Sequence, residues 1–573
     1  MKKIAYALAA LALLLTGCNG FLEEDNRSNT NSEDYYKTPE GFATLVNAAY
    51  ASLRDIYGDK PAILLAGTDL YLEGRARGHT ESPLGMYKTL EPTDGTVLEF
   101  YETCYQAIGR ANAVLYYGKN TETTNQLPRQ LAEARFLRAF FYFHLVQQFG
   151  GVPLVKEMTD RPILEFDRNT EAEVYNFIIT EMESLKGDLL ERSTGDDYGR
   201  VDQRTVNHFL AKVYLTRGWI TSDPEDYRKA KDYGIAAIDG QTLNLSFGEA
   251  YKATAYGYRN EEVIWSVIYS PQSMETTTSG NSQASHFGGY LDGSPAGNKS
   301  TDGSLPPTLF AHYLFTKDIA DPNHDSRYDL TFMKYVYDKS LCFYTKTDEE
   351  LRNTRILAYY PTWWNPDYND VDGWRAQNPA QRTGTFVRQI GDPGNPETDL
   401  AAFQRASDEY TINSNSNYYY PTFRKFDCPE VTVFSNKGSF RDIDIARLND
   451  TYLTVAEAFI QLNQPGEAVP YINAVRERSI DAGDPKCRID ASQATVDFIL
   501  DERARELLGH YDRWYDLKRT GKLIERTVKY NPDLEGDATR FVGQDGMNKI
   551  LRPIPQAAID ANKGKTSQNP GYL

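Results

Sequence analysis

Leu131-Ala132-Glu133-Ala134-Arg135-Phe136-Leu137-Arg138-Ala139-Phe140-Phe141-Tyr142-Phe143-His144-Leu145-Val146-Gln147-Gln148-Phe149 is the stretch that decides the fold. Ala134, Leu137, Phe141, Leu145 and Phe149 fall on one helical face at spacings of three and four, and Ala132, Phe136, Ala139, Phe143 and Val146 fall on a second. A helix that is apolar on two faces has to be covered from both sides. Gly150, Gly151 and Pro153 end it, so the rest of the chain must supply its neighbours.

Candidate neighbours lie on both flanks. Downstream, Glu173 to Leu190, Gln203 to Gly218 (Val206, Leu210 and Val213 in register) and Tyr227 to Ile238 (with Ala230 and Tyr233) all read as helices. Near the C-terminus Leu448, Tyr452, Val455, Phe459 and Leu462 form a stripe, Gln464-Pro465-Gly466 breaks it, and Ala468, Ile472 and Val475 start a partner helix. Short helices separated by tight turns, with small residues at contacts, predict a mainly α fold. The expected form is a tetratricopeptide-like helical-repeat superhelix with long loop-rich insertions.

The insertion lies between about residues 250 and 440. Apart from the strand-like Val263 to Ile268, it is rich in Gly, Asn, Ser, Asp and aromatic residues with little helical period. Long loops on a rigid frame are where binding usually resides. The expected organisation is therefore a leader at 1–17, a tether at 18–32 and a helical-repeat region at 33–250. A loop-rich region at 251–440 carries the ligand surface, and helices at 441–573 complete the same domain.

The leader is Lys2 and Lys3, the apolar run Ile4 to Leu15, and then Leu15-Thr16-Gly17-Cys18. That run is too short to span a bilayer, and no later stretch approaches the roughly 20 apolar residues that spanning needs. Small residues directly before a cysteine resemble a lipobox, at which a bacterial signal peptide is removed and Cys18 is lipidated. Glu23-Glu24-Asp25 and the polar residues through Asn31 then read as a solvated tether. Acidic residues this soon after a lipidated cysteine resemble an export signal to the outer face of the outer membrane.

Composition narrows the function. The chain has 573 residues, 80 of them acidic, and a formal charge of −18. Such a charge repels phosphate backbones, which argues against a nucleic-acid partner, whereas an uncharged ligand meets no penalty. Tyrosine is abundant, 40 residues against 26 phenylalanines, and its amphipathic ring suits wet binding surfaces. Cys104, Cys342, Cys428 and Cys487 show no paired spacing suited to zinc.

No catalytic motif stands out. The seven histidines include no H-E-x-x-H pattern, and no G-x-S-x-G elbow is present. The alternation Glu502-Arg503-Ala504-Arg505-Glu506 reads as a helix face engaged in ion pairs. The expectation is a binder and not an enzyme. A glycosidase using an unrecognised carboxylate pair is the competing reading.

The richest binding candidate is Trp363-Trp364-Asn365-Pro366-Asp367-Tyr368-Asn369-Asp370-Val371-Asp372-Gly373-Trp374, which holds three of the six tryptophans. Sugar rings offer C–H faces that stack on flat aromatics, while Asp and Asn bond to the hydroxyls at the edge. Trp363, Trp364, Trp374, Asp367, Tyr368 and Asn369 are the proposed contacts, with Tyr71, Arg75 and Tyr290 as further candidates. No cofactor is expected. An EF-hand register fails because Pro379 stands where its bidentate Glu belongs, which leaves a looser structural calcium site open.

Four segments resemble one family, the RagB/SusD surface glycan-binding lipoproteins. They are Phe21-Leu22-Glu23 with Asp34-Tyr35-Tyr36-Lys37-Thr38-Pro39-Glu40 and Asn47-Ala48-Ala49-Tyr50; Ala132 to Ala139 running into Phe149-Gly150-Gly151-Val152-Pro153-Leu154; Arg447-Leu448, Ile472 to Arg476 and Glu502-Arg503 to Arg519; and Pro553-Ile554-Pro555 with Gln568-Asn569-Pro570-Gly571-Tyr572. The resemblance implies a lipid-anchored, surface-exposed outer-membrane protein that captures a glycan for a TonB-dependent transporter. Capture of a peptide or another nutrient by the same kind of system is the alternative. The family's aromatic platform is poorly matched, because Leu98, Phe100 and Tyr101 stand where it is usual.

Overall fold

A computed structural model describes residues 32–58, 62–72, 83–159, 164–252, 259–270, 280–287, 303–338, 346–412, 420–421, 423–428, 439–564 and 566–573. Residues 1–31, which hold the leader, Cys18 and all of the tether but Ser32, lie outside the described residues.

The fold is mainly α. Among the described residues its first long helices are α1 Pro39–Tyr57, α2 Gly95–Tyr117, α3 Leu127–Phe149, α4 Glu171–Glu183, α5 Gln203–Thr221 and α6 Pro224–Ile238. A loop-rich stretch follows, with β1 Val263–Val267, β2 Tyr335–Tyr337, β3 Ile356–Tyr359, β4 Phe386–Val387 and α7 Leu400–Ile412. The chain closes with β5 Ile443–Arg447, α8 Leu448–Gln461, α9 Pro465–Glu477, α10 Val496–Glu506, α11 Arg513–Arg519 and α12 Leu523–Tyr530.

The helices pack as a row in which each touches the next, from α1 through α6. After α6 the row is resumed by α8, then α9, although the whole loop-rich stretch separates them in sequence. Antiparallel pairing of β1 with β5, Val263 opposite Arg447 and Val267 opposite Ile443, closes the base of that excursion. Gly234 lets α6 come close to α8, since a Cβ there would run into the Val455 side chain.

Helix α3 is buried along nearly its whole length, as its two apolar faces require. Gly150 ends it at φ +68°, a conformation glycine adopts without strain. His144 lies inside α3 with Nε2 2.9 Å from the Tyr57 hydroxyl and Nδ1 2.8 Å from that of Tyr515. One imidazole thus ties α1, α3 and α11 together, and burial pushes its pKa down to about 3, so it is neutral.

The loop-rich stretch is more structured than its composition suggests. Strands β2 and β3 pair antiparallel, and β4 adds parallel to β3. Helix α7 was not foreseen. Asp399 accepts the Ala402 N–H at 2.9 Å at its start, and Phe403 and Tyr410, two turns apart, are its buried face. Among the described residues no helix is long and apolar enough to cross a membrane.

Candidate functional site

The segment from residue 360 to 377 leaves β3 and is held rigidly at its start. Tyr360 N–H donates to the Lys334 carbonyl at 3.0 Å, Ile390 N–H to Pro361 at 2.8 Å, and Trp363 N–H to Ile390 at 3.1 Å. Asn365 Oδ1 accepts from both the backbone N–H and the hydroxyl of Thr362 at 2.9 Å, which turns the chain. A 3-10 turn, Pro366–Asn369, leads to the short helix Val371–Gln377, capped by Asp370 accepting the Gly373 N–H at 2.8 Å.

This backbone separates the three tryptophans. Trp363 and Trp364 remain half-buried, their rings 4.5 Å apart and nearly perpendicular at 82°. The edge of Trp364 is braced on Tyr328 at 4.9 Å. Both indoles also pack in part against the core, Trp363 on two of its clusters, so the two rings form a half-buried corner at a fixed strand end.

Trp374 does not join them, which corrects the expectation. The capped helix turns its ring inward until 2% of the residue is exposed. There it stacks on Tyr359 at 4.3 Å, with the Arg382 guanidinium 4.5 Å from its ring centre. Burial of this much apolar surface makes Trp374 the anchor of the loop.

Tyr71 is a second correction. It is buried, and its hydroxyl accepts the Gly509 N–H at 2.7 Å, so neither face nor tip is open to a ligand. Arg75 and Tyr290 lie outside the described residues.

The polar members of the segment divide the same way. Asp367 Oδ2 accepts the Tyr359 hydroxyl at 3.0 Å, which positions the acid beside the buried stack. Tyr368 is partly exposed and Asn369 exposed. The acids do not assemble around a cation: Asp370 caps a helix, Asp367 serves Tyr359, and Asp372 projects into solvent beside Arg375. Among the described residues no group of three or more His, Cys, Asp or Glu could hold a metal ion.

The acid-rich helix α10 is structural. Glu502 is fully buried and receives Arg327 at 2.6 Å, Arg476 at 2.7 Å and Arg505 at 2.7 Å. Burial alone would raise its carboxyl, and the three guanidiniums overcome this to hold it well below the usual range. Glu506 is bound by Arg327, Arg478 and Asn449. Neither acid has a proton to give or a path to solvent.

The whole chain resembles known proteins in both sequence and shape. A family model described as SusD family matches residues 261–572, and one described as starch-binding associating with outer membrane matches 20–215. The starch-binding protein SusD of Bacteroides thetaiotaomicron is 26% identical over 78% of this chain and 73% of its own. A crystal structure of a SusD homolog from the same organism covers 96% of this chain and 100% of that one, with TM-score 0.71 and 19% identity. The surface glycan-binding protein A of that organism, solved in complex with laminarihexaose, covers 93% of this chain and 99% of its own, with TM-score 0.64 and 18% identity. With more than half of its length matched by the first model, this chain belongs to the SusD family.

Proposed function

We propose that this chain captures an uncharged glycan outside the cell, releases it unchanged to a TonB-dependent transporter, and is held at the outer membrane by a lipid on Cys18. The observation that carries the reading is the Trp363–Trp364 corner, two partly open indoles at 82° on a fixed strand end. A pyranose stacks its C–H face on one indole while its hydroxyls meet Tyr368, Asn369 and nearby backbone groups. The charge of −18 favours a neutral ligand over a uronate or sulfated polymer. Starch binding and the laminarihexaose complex among the relatives support glucans as the first probes.

No covalent step enters this reading. Two half-buried indoles offer a ligand only part of their surface, and so partial a contact gives the modest affinity that lets a ligand be passed on.

Affinity electrophoresis through gels containing laminarin, amylopectin or a pectic polymer tests it. The wild type should be retarded by at least one neutral glucan, and Trp363→Ala with Trp364→Ala should abolish the retardation. New reducing ends released from the retarding polymer, or unchanged retardation of the double variant, would overturn it. Mass spectrometry of the membrane-bound protein for an acylated Cys18, and co-purification with a membrane transporter, test the anchor and the partner.

A further inference from the structure

A second concavity, of about 370 Å³, opens between α2, the segment that follows α3 and the short C-terminal helix Gln556–Ala561. Tyr101 and Tyr105, one turn apart on α2, line it with Leu98 and Phe166, and Ala558 and Ala561 line it from the C-terminal helix. It shares no lining residue with the Trp363 corner.

The groove is built and held open. Tyr105 donates its hydroxyl to the Pro153 carbonyl at 2.8 Å, and Tyr101 sets its ring edge-on to Phe149 at 5.1 Å. On the opposite wall Asn562 accepts the Phe166 N–H at 2.9 Å and donates to the Phe166 carbonyl at 2.8 Å, which fixes that wall to the C-terminal segment. Arg168 fastens the same segment by donating to the Gly151 and Phe149 carbonyls at 2.6 and 2.9 Å and to Asn569 at 2.5 Å. These bonds are satisfied without a ligand, so no ordering cost falls on binding.

Two polar groups remain to meet a guest. Thr566 accepts from Asn562 at 2.7 Å and keeps its own hydroxyl proton to donate. Glu102, exposed on the rim, has no hydrogen bond or ion pair among the described residues. Aromatic and aliphatic walls with one acceptor acid and one hydroxyl at the mouth select a flat apolar face whose edge carries hydroxyl donors. The acid, within a chain of charge −18, disfavours an anion. Ligand pockets begin at about 300 Å³, so this volume suits one or two sugar rings.

We infer that the groove is a second carbohydrate subsite that takes uncharged pyranose rings, so that one chain grips a polymer at two points. It rests on the glycan-binding reading above and gains from it, because two weak contacts on one polymer multiply into useful retention while each still releases quickly.

Calorimetric titration with laminarihexaose and with maltohexaose tests it in the full-length chain. With the bound probe, the wild type should take up two molecules per chain and Ala561→Phe, which fills the groove from an exposed position, only one. Glu102→Gln should keep both sites and weaken the second about ten-fold. Trp363→Ala with Trp364→Ala should leave the groove as the remaining site. One molecule per wild-type chain, with Ala561→Phe and Glu102→Gln binding as the wild type does, would overturn the subsite and leave the main reading standing. A wild type that binds neither probe overturns both.

Discussion

Arg513 and Asp69, 444 residues apart in the chain, meet in the core through two parallel hydrogen bonds, Nε to Oδ1 at 2.8 Å and Nη2 to Oδ2 at 2.6 Å. Arg526 adds a third donor to the same carboxylate at 3.1 Å. Burial alone would raise the Asp69 carboxyl, and the two guanidiniums reverse that and hold it below its usual range. The pair fastens the turn after α1 to helices α11 and α12. It joins the ends of the chain around the helical row.

Asp69→Asn should therefore be severe. It leaves the buried Arg513 guanidinium without its counter-charge, while Arg526 keeps Asp501 and Asp497, a loss of about 3–5 kcal/mol in comparable buried pairs. Asp55→Asn removes the partner of Arg110 from a pair whose side chains are 47% and 42% exposed, and should cost at most about 1 kcal/mol. Urea denaturation of both variants checks the contrast, and equal losses would refute it.

Stability should fall as pH drops below neutral, before the carboxylates titrate. Burial pushes His144, His208 and His312 down to about 3, whereas the unfolded chain binds protons near 6.5. Their contribution is complete above about pH 6.5 and declines from there toward 3, at about 1.4 kcal/mol per pH unit for each fully linked proton. Asp442, pushed up to about 6 by burial, works in the opposite sense between pH 6 and 4, as do the Glu133, Asp202 and Asp512 carboxyls that burial also raises, while buried His510, pushed down by burial, adds to the loss. Asp501, held at about 2 because Arg526 and Lys317 outweigh its burial, adds a second loss below about pH 4. Denaturation midpoints at pH 7.5, 6.0, 5.0 and 3.5 should fall in that order, and a flat profile down to pH 4.5 would count against the buried neutral imidazoles.

The three tryptophans of one loop should separate into two behaviours. Trp374→Ala empties a buried aromatic stack and should cost about 3–5 kcal/mol of stability, with glycan affinity retained by the folded fraction. Trp363→Ala and Trp364→Ala should leave the unfolding midpoint within about 1.5 kcal/mol and lower affinity for a retained glucan by ten-fold or more. Parallel denaturation and electrophoresis decide the matter, and a ligand defect specific to Trp374→Ala would reverse the assignment.

That loop also shows how far the sequence could be read. Helix α3 was legible because both of its apolar faces repeat at helical spacing within one segment, and the engaged acids of α10 because their alternation with arginine is local. The fate of Trp374 was not. Its burial depends on Tyr335 and Tyr359, from strands that become neighbours only after β2 and β3 pair, so no window around Trp374 distinguishes it from Trp363. Tyr71 was lost in the same way, since Gly509 claims its hydroxyl from 438 residues away. Helix α7 could have been found from Asp399 as a cap and from Phe403 and Tyr410 at a two-turn spacing. The polar residues around them hid that signal.

Two helical glycines should respond to alanine with opposite signs. Gly109 in α2 has open space where a Cβ would stand, so Gly109→Ala gains helix propensity and should stabilise by about 0.5–1 kcal/mol. At Gly234 in α6 the same methyl would drive into Val455 on α8, a stiff buried side chain in the contact that resumes the helical row. Overpacking of this kind costs about 1–3 kcal/mol, enough to exceed the propensity gain of about 1 kcal/mol. Gly234→Ala should therefore destabilise, and Val455→Ala combined with it should recover part of the loss by removing the obstacle, a coupling that independent sites would not show. Urea midpoints of the two single variants and the double variant test this. Stabilisation by Gly234→Ala would mean that α6 and α8 do not pack this closely and that the row is not continuous across the excursion.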